Sequence, residues 1–176
     1  MIEKYNVELD SKKHPVLIRE NEYHYQDIRL DSPEKIVCML NTCFHLASMA
    51  EEYAFMLGMD SASMVTGVFE LSHGCVNATL MCPREAYLRA LLVGAVGIVL
   101  IHNHPSGEIS PSKDDLTVFA RMKEAGDILG MKLLDFIIVG NGKFLSFCKE
   151  GMLEDKKNRE KICSEQHAQS TVIKDA

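Results

Sequence analysis

The feature that most constrains the fold is a continuous apolar run, Gly97-Ile-Val-Leu-Ile101, near the middle of the chain. An unbroken apolar run is typical of a strand that is buried on both faces of a sheet, because a strand with one wet face alternates apolar and polar residues. Helical patterns precede and follow the run. We therefore expect one α/β (α+β) domain in which helices flank a mixed, mostly antiparallel sheet.

Capping residues and apolar periodicity predict the elements around this strand. Helices are expected at residues 32–50, 83–94 and 110–130, the third being capped by either Ser110 or Ser112. Strands are expected at residues 53–59, 65–71, 131–139 and 144–147, and a tight turn at 140–142 joins the last two. Residues 14–19 and 23–25 are expected to supply one or two short edge strands.

The length of 176 residues is typical of one domain. We expect an N-terminal extension at residues 1–31, a domain at residues 32–150 and a charged C-terminal tail at residues 151–176. The tail carries balanced acidic and basic residues and is expected to be solvated.

The composition argues against several classes of protein. The formal net charge is −6 and no dense run of Lys and Arg is present, so strong direct binding to nucleic acid is not expected. The N-terminus lacks the apolar segment of a secretory signal, and the apolar stretch at residues 91–101 is too short to span a bilayer. We therefore expect a cytoplasmic protein without membrane association. The 6 cysteines form no CxxC pair, and most are expected to be small buried core residues.

Two histidines directly follow the buried strand, as His102-Asn-His104. In an extended chain, residues i and i+2 share a face, so both imidazoles can point toward one site. Imidazole is a preferred zinc ligand, and a catalytic zinc site has three protein ligands and a water. The third ligand is expected from the first turn of the next helix. Asp115 and Asp114 are alternatives there, because one helical step turns a side chain by about 100° and both cannot face the same ion.

The segment from His102 to Asp115, HNHPSGEISPSKDD, resembles the JAMM metal motif, in which HxHP is followed by a serine and, three residues later, by an aspartate. Its first six residues resemble more closely the RadC family of MPN/JAB domains. The resemblance extends over residues 52–150, including Pro83-Arg-Glu before one helix and LDFIIVG at residues 134–140 after another. RadC proteins often carry a helix-hairpin-helix module ahead of this domain. None is expected here, so the chain is similar to a stand-alone form.

This resemblance implies a single MPN/JAB-like domain with a cytidine-deaminase-like layout and a Zn²⁺ site. It implies that His102, His104 and Asp115 are the metal ligands, and it selects Asp115 over Asp114. The serine of the motif falls on Ser112, which would donate a hydrogen bond to the oxyanion of a tetrahedral intermediate. Capping of the following helix is an equally good interpretation of Ser112 from the sequence.

The family also implies a glutamate before the first core strand, and Glu52 matches it best, with Glu51 next. A bound zinc lowers the pKa of its water to roughly 7. A carboxylate nearby can accept the proton from that water and pass it to the leaving amine. We therefore predict that Glu52 is a catalytic acid/base and not a metal ligand.

Three functions fit these observations. The first is a zinc-dependent metallopeptidase or isopeptidase of the JAMM type, acting on a peptide or protein substrate. The second is an accessory protein associated with DNA repair or mobile elements, as the RadC name suggests. The third is an inactive MPN scaffold, which ranks last because all three predicted ligands are present. The chain departs from the common family pattern at Cys75, Cys82 and Ile109, which are expected to affect the shape of the loop and cleft and not the metal.

Overall fold

Seven strands form one mixed sheet with helices on both faces in the computed structural model, which describes residues 1–27, 29–74 and 81–153. The strands are β1 (Ile2–Leu9), β2 (Pro15–Tyr23), β3 (Tyr53–Met59), β4 (Val65–His73), β5 (Gly97–Asn103), β6 (Lys132–Gly140) and β7 (Lys143–Ser146). The helices are α1 (Pro33–Phe44), α2 (Pro83–Leu92) and α3 (Lys113–Leu129), with a short 3-10 turn at Leu46–Ser48. The predicted α/β class is confirmed.

The sheet has the strand order β2-β1-β4-β3-β5-β6-β7. The pairs β1–β4 and β5–β6 are parallel, and the other four neighbouring pairs are antiparallel. The sheet is therefore mixed and mostly antiparallel, as predicted. One core cluster lies between the sheet and helices α2 and α3, and a second lies between the sheet and α1.

Strand β5 is buried over its whole length, which confirms the prediction made from its apolar run. It lies between β3, which it pairs in antiparallel fashion, and β6, which it pairs in parallel fashion. The strand extends two residues beyond the apolar run and ends at Asn103. His102 and Asn103 therefore have strand geometry inside the sheet, and they point to opposite faces of it.

Helix α1 is shorter than predicted. Its Ser32 cap accepts a hydrogen bond from the Lys35 backbone amide, as expected of this residue type. The helix ends at Phe44 because His45 adopts a left-handed conformation with φ 56°. The predicted continuation to residue 50 is wrong, because the chain turns there and the Asn41 side chain accepts a hydrogen bond from the Ala47 amide.

Helix α3 begins at Lys113, so the structure selects Ser112 over Ser110, the two caps that the sequence left open. The Ser112 side chain accepts a hydrogen bond from the Asp115 amide, and the Asp115 carboxylate accepts one from the Ser112 amide. This reciprocal pair is a capping box. The helix ends at Gly130, whose φ of 70° is left-handed.

The N-terminal residues contribute more to the sheet than predicted. Strands β1 and β2 form a hairpin, and β1 pairs with β4 through Lys4 and Val68. Tyr5, Val7 and Leu17 pack against the core on the α2–α3 side. The pattern was hard to predict because most residues of β1 are only partly buried and most of β2 are exposed, so polar side chains interrupt the alternation.

The four cysteines in the described residues differ from the prediction. Cys38 and Cys148 are exposed on a helix and a turn surface, and Cys82 is only half-buried. Cys43 is also half-buried and packs against the edge of the core on the α1 side. At the C-terminal end, Met152 and Leu153 pack against the core. The rest of the predicted tail, residues 154–176, and the departure at Cys75 lie outside the described residues. None of the helices within the described ranges is long and apolar enough to cross a membrane.

Candidate metal centre

The pairing of β3 with β5 brings Glu52 to the histidine pair. Ala54 lies opposite His102 in this antiparallel ladder, and Glu52, two residues before Ala54, lies on the same face of the chain. A Glu52 Oε1 atom is 3.2 Å from His102 Nδ1. Glu51 is near Gly74 instead, where an added Cβ would lie 3.2 Å from the Glu51 carboxylate. The structure therefore brings Glu52, and not Glu51, to the predicted site.

Helix α3 brings Asp115 to the opposite side of the same histidines. The Asp115 Oδ1 atom is 3.3 Å from His102 Nε2, and Oδ2 is 3.5 Å from His104 Nε2. Asp115 is only 1% exposed, whereas Asp114 is exposed to solvent. The structure thus places the three predicted ligands together, with Asp114 outside the group.

His102 is fully buried, and its Nε2 atom lacks a hydrogen-bond partner in the described structure. Burial of a polar atom without a partner is costly, so such an atom indicates a ligand that completes the site. A metal ion would accept the lone pair of this nitrogen. The donor atoms of Glu52, His102 and His104 also lie within 4.8 Å of one another, so these residues could hold a metal ion.

The carboxylates of Glu52 and Asp115 approach His102 through different ring nitrogens. Glu52 is next to Nδ1 and Asp115 is next to Nε2. A carboxylate that binds the second nitrogen of a metal-ligating histidine fixes its tautomer and orientation. The arrangement therefore favours Nε2 of His102 as the metal-facing atom, with Asp115 on the metal side and Glu52 beside it.

His104 is oriented in the same way by the loop that follows it. Its Nδ1 atom is 2.7 Å from the Glu108 carbonyl oxygen, a contact that requires Nδ1 to carry the proton and to donate it. This hydrogen bond leaves Nε2 as the nitrogen that faces Asp115. Both histidines therefore present the same type of atom to the space beside Asp115.

The charges at the site are strongly coupled. Burial raises the pKa of Asp115, but the contacts with His104, His102 and Ser112 outweigh burial and hold the pKa at about 2. The hydrogen bond to Asp115 raises the pKa of His104, against the opposing effect of burial. Asp115 is therefore ionised at neutral pH, as a metal ligand must be.

Ser112 is held by the helix start that it caps. Its hydroxyl group donates to Asp115 Oδ2 over 2.7 Å and accepts from the Asp115 amide over 3.1 Å. Capping is thus its observed role. Donation to an oxyanion stays a prediction, and it would require the hydroxyl group to leave Asp115 Oδ2.

Comparison with known sequences identifies the family. A sequence model of the RadC-like JAB domain matches residues 30–152, which is more than half of the chain. The chain belongs to this family. The resemblance noted in the HNHPSG segment and its surroundings is thereby confirmed.

Curated bacterial relatives of this RadC-like JAB domain carry the name UPF0758 protein. The protein from Geotalea uraniireducens is 41% identical over 58% of this chain and 45% of its own length. The proteins from Geobacter sulfurreducens and Pelobacter propionicus are 36% and 34% identical, each over 71% of this chain and 54% of its own length. The chain thus spans about half the length of the curated relatives it matches, and their names state no activity.

Sequence reasoning about this RadC-like JAB domain did not predict which residues hold the loop between β5 and α3, residues 104–112, in place. Gly107 contacts Gly140 so closely that a Cβ added at Gly140 would lie 2.7 Å from the Gly107 carbonyl oxygen. The His104 amide also donates to the Val139 carbonyl oxygen over 2.8 Å. The Gly140-Asn-Gly142 turn was predicted as a hairpin, and its position beside the loop depends on the β5–β6 pairing.

Proposed function

We propose that the protein is a zinc-dependent hydrolase that cleaves amide bonds in a peptide or protein substrate. The observation that carries this proposal is the buried, unpartnered Nε2 atom of His102, which faces the Asp115 carboxylate at 3.3 Å. Structural cores normally satisfy or exclude such a nitrogen, and this one lies between a second imidazole and a carboxylate. A site with two imidazoles and one ionised carboxylate supplies three donors of the types found in catalytic zinc sites.

His102, His104 and Asp115 would hold the ion in this proposal. A zinc ion bound there would lower the pKa of a coordinated water to roughly 7 and polarise the substrate carbonyl. The protein contributes fixed ligand orientation, since Glu52 binds Nδ1 of His102 and the Glu108 carbonyl binds Nδ1 of His104. A fourth protein ligand would close the site to water, so Glu52 is assigned another task.

Glu52 would act as the general base and then as the general acid. It is half-buried at the start of β3, next to the ligands, and only one of its two oxygens contacts His102. The carboxylate would accept a proton from the attacking water and deliver it to the leaving amine nitrogen. Ser112 would contribute a hydrogen bond to the oxyanion as the carbonyl carbon becomes tetrahedral.

The experiment combines metal analysis with digestion of a peptide library and of isopeptide-linked substrates. The expected result is about one zinc per chain and cleavage that stops when a chelator removes the metal and returns when zinc is restored. The Glu52→Gln variant should keep its zinc and fold but lose roughly 10²–10⁴-fold in turnover, because glutamine cannot accept the proton. Glu51→Gln is the matched control and should retain full activity.

Two results would contradict the proposal. If protein purified from zinc-supplemented cells contained no metal, the proposed zinc dependence would be wrong. Zinc loss in Glu52→Gln would make this residue a ligand and would overturn the assignment of Glu52 as the acid/base.

A further inference from the structure

Asn103, the residue between the two histidines, is buried and lies on the opposite side of the sheet from the metal centre. Its exposed fraction is 2%. His102 contacts Phe136 of the α2–α3 core, whereas Val99 and Ile101 belong to the core on the α1 side. Alternation along β5 therefore directs Asn103 toward the α1 side. There its side chain meets the segment that links the 3-10 turn to β3.

The Asn103 amide makes three hydrogen bonds to the backbone of this segment. Its Oδ1 accepts from the Tyr53 amide over 2.7 Å. Its Nδ2 donates to the Glu51 carbonyl over 3.0 Å and to the Met49 carbonyl over 3.4 Å. The side chain thus binds backbone groups immediately before and after Glu52.

These bonds continue the β3–β5 ladder beyond its last backbone pair. The last residue pair of the described ladder is Ala54 with His102, so residues 51–53 form no ladder pair with β5. On the other side, the Gly74 amide donates to the Glu52 carbonyl over 3.0 Å. The Glu52 backbone is thereby held between Gly74, which follows β4, and the Asn103 side chain, which binds the backbone groups on both sides of Glu52.

We propose that Asn103 is a positioning residue that holds the Glu52 carboxylate against His102 by fixing the backbone of residues 49–53. The inference rests on the proposed function for its catalytic consequence, but the positioning itself is independent of activity. The three predicted ligands are anchored elsewhere, on β5, on the loop at Glu108 and on α3. Loss of the Asn103 amide should therefore displace Glu52 and leave the ligands in place.

The first test uses zinc-free protein and nuclear magnetic resonance of the histidine rings. The proton on His102 Nδ1 should be protected from exchange in the wild type, because Glu52 accepts it. Asn103→Leu, which is nearly isosteric, should lose this protection, while the proton on His104 Nδ1 stays protected by the Glu108 carbonyl. Asn41→Leu is the matched control, because the Asn41 side chain accepts a hydrogen bond from the Ala47 amide in the neighbouring 3-10 turn and not from residues 49–53.

The second test uses zinc-loaded protein and its turnover. Asn103→Leu should lower kcat by about 10- to 100-fold with little change in KM, which is the range expected when a catalytic group is misplaced by about 1 Å. In the Glu52→Gln background the same substitution should have almost no further effect on kcat, since the group that it positions is already inactive. Zinc content should be unchanged in every variant.

Asn103→Asp keeps the acceptor for the Tyr53 amide but removes the donor to the two carbonyl groups. It should show the same losses, and it provides the test if Asn103→Leu does not fold. An unchanged His102 Nδ1 proton in the folded variant, or an equal loss of kcat with and without the Glu52 carboxylate, would overturn the inference. A wild type without zinc-dependent turnover would contradict the proposed function alone, and the His102 signal would still decide the role of Asn103.

Discussion

Asp115 combines two tasks in one side chain. Its Oδ2 atom accepts hydrogen bonds from the backbone and the hydroxyl group of Ser112, and this pair fixes the first turn of α3. Its Oδ1 atom faces His102 Nε2. The capping box thus sets the direction of the carboxylate, so the entropy cost of ordering this predicted ligand is met during folding.

Substituting each of the two adjacent aspartates in turn distinguishes the specific roles of Asp115 from a general effect of removing one negative charge. Asp115→Ala should abolish stoichiometric zinc binding and also destabilise the fold by about 1 kcal/mol through loss of the capping box. Asp114→Ala should retain zinc, because Asp114 points to solvent. Atomic absorption after dialysis and thermal unfolding with a chelator measure the two effects. Equal zinc retention in both variants would refute the ligand assignment.

The coupled pair of His104 and Asp115 predicts how zinc binding depends on pH. The pKa of His104 is raised above 6.5 by Asp115, and that of Asp115 is lowered to about 2. In the metal-free protein the stabilisation by His104 is complete below its unfolded pKa and is lost as pH rises through the folded value. The stabilisation by Asp115 is complete above its unfolded pKa and is lost as pH falls toward 2.

In the proposed site zinc would require neutral His104, so binding at a pH below the raised pKa of His104 would release a proton. We expect the apparent zinc affinity to rise as the pH increases through the raised pKa of His104 and then to level off once His104 is deprotonated. Calorimetric titration in buffers of different ionisation enthalpy measures the released proton directly. A zinc affinity that does not change as the pH rises through this pKa would be inconsistent with His104 as a ligand.

At the scale of elements, the loop between β5 and α3, residues 104–112, packs against the turn that joins β6 to β7. The contact of Gly107 with Gly140 leaves no space for a side chain at position 140. The β5–β6 pairing brings the two together, because both strands end at the same edge of the sheet. The geometry of His104 therefore depends on a turn that follows it by more than thirty residues in sequence.

Two glycine substitutions in this turn test the dependence. Gly140→Ala should destabilise the protein by about 1–3 kcal/mol, since a core contact must move. It should also weaken zinc binding by about 10- to 100-fold, as loss of a supporting contact does in other metal sites.

Gly142→Ala is the control: its φ of 70° is left-handed and no atom lies within 4 Å of an added Cβ. It should cost about 1–2 kcal/mol of strain and leave zinc affinity unchanged. Equal zinc affinity in both variants would exclude a supporting role for the turn.

The sequence predicted the core elements more accurately than the periphery. Strand β5 carries a strong local signal, its apolar run, and was placed correctly. The start of α3 was narrowed to two candidate serine caps, and the structure selects Ser112. The end of α1 depends on the left-handed His45, which has no clear local signal. The hairpin of β1 and β2 was underestimated because its pairing with β4 is long-range. Burial of the unpartnered His102 nitrogen was equally beyond the sequence, since it results from packing of β3 and α3 around it.

At the scale of the whole molecule, the charge and the length bear on possible partners. The net charge is −6, and the chain covers about half of each curated relative that it matches. The activities and partners of the complete relatives are therefore proposals for this chain. Electrostatic attraction to phosphates supplies most of the non-specific affinity of proteins for nucleic acid, and an acidic chain lacks it.

We predict that this protein has no strong affinity for double-stranded DNA. A gel-shift titration at physiological salt should show no complex in the sub-micromolar range, which is tighter than the roughly 10⁻⁴–10⁻⁶ M of ordinary non-specific binders. The same titration is repeated at low salt, because weaker screening there would reveal DNA binding by a local basic patch. Sub-micromolar binding would favour the DNA-associated function over a hydrolase that acts alone on proteins.

The register of β3 against β5 has a consequence for the order of events during refolding. The three predicted ligands lie within a segment of fourteen residues, from His102 to Asp115, whereas Glu52 precedes His102 by fifty residues. Closure of the longer loop costs more chain entropy and delays the contact. The three predicted ligands can therefore assemble from one local segment, whereas the contact of Glu52 with His102 requires β3 to dock beside β5.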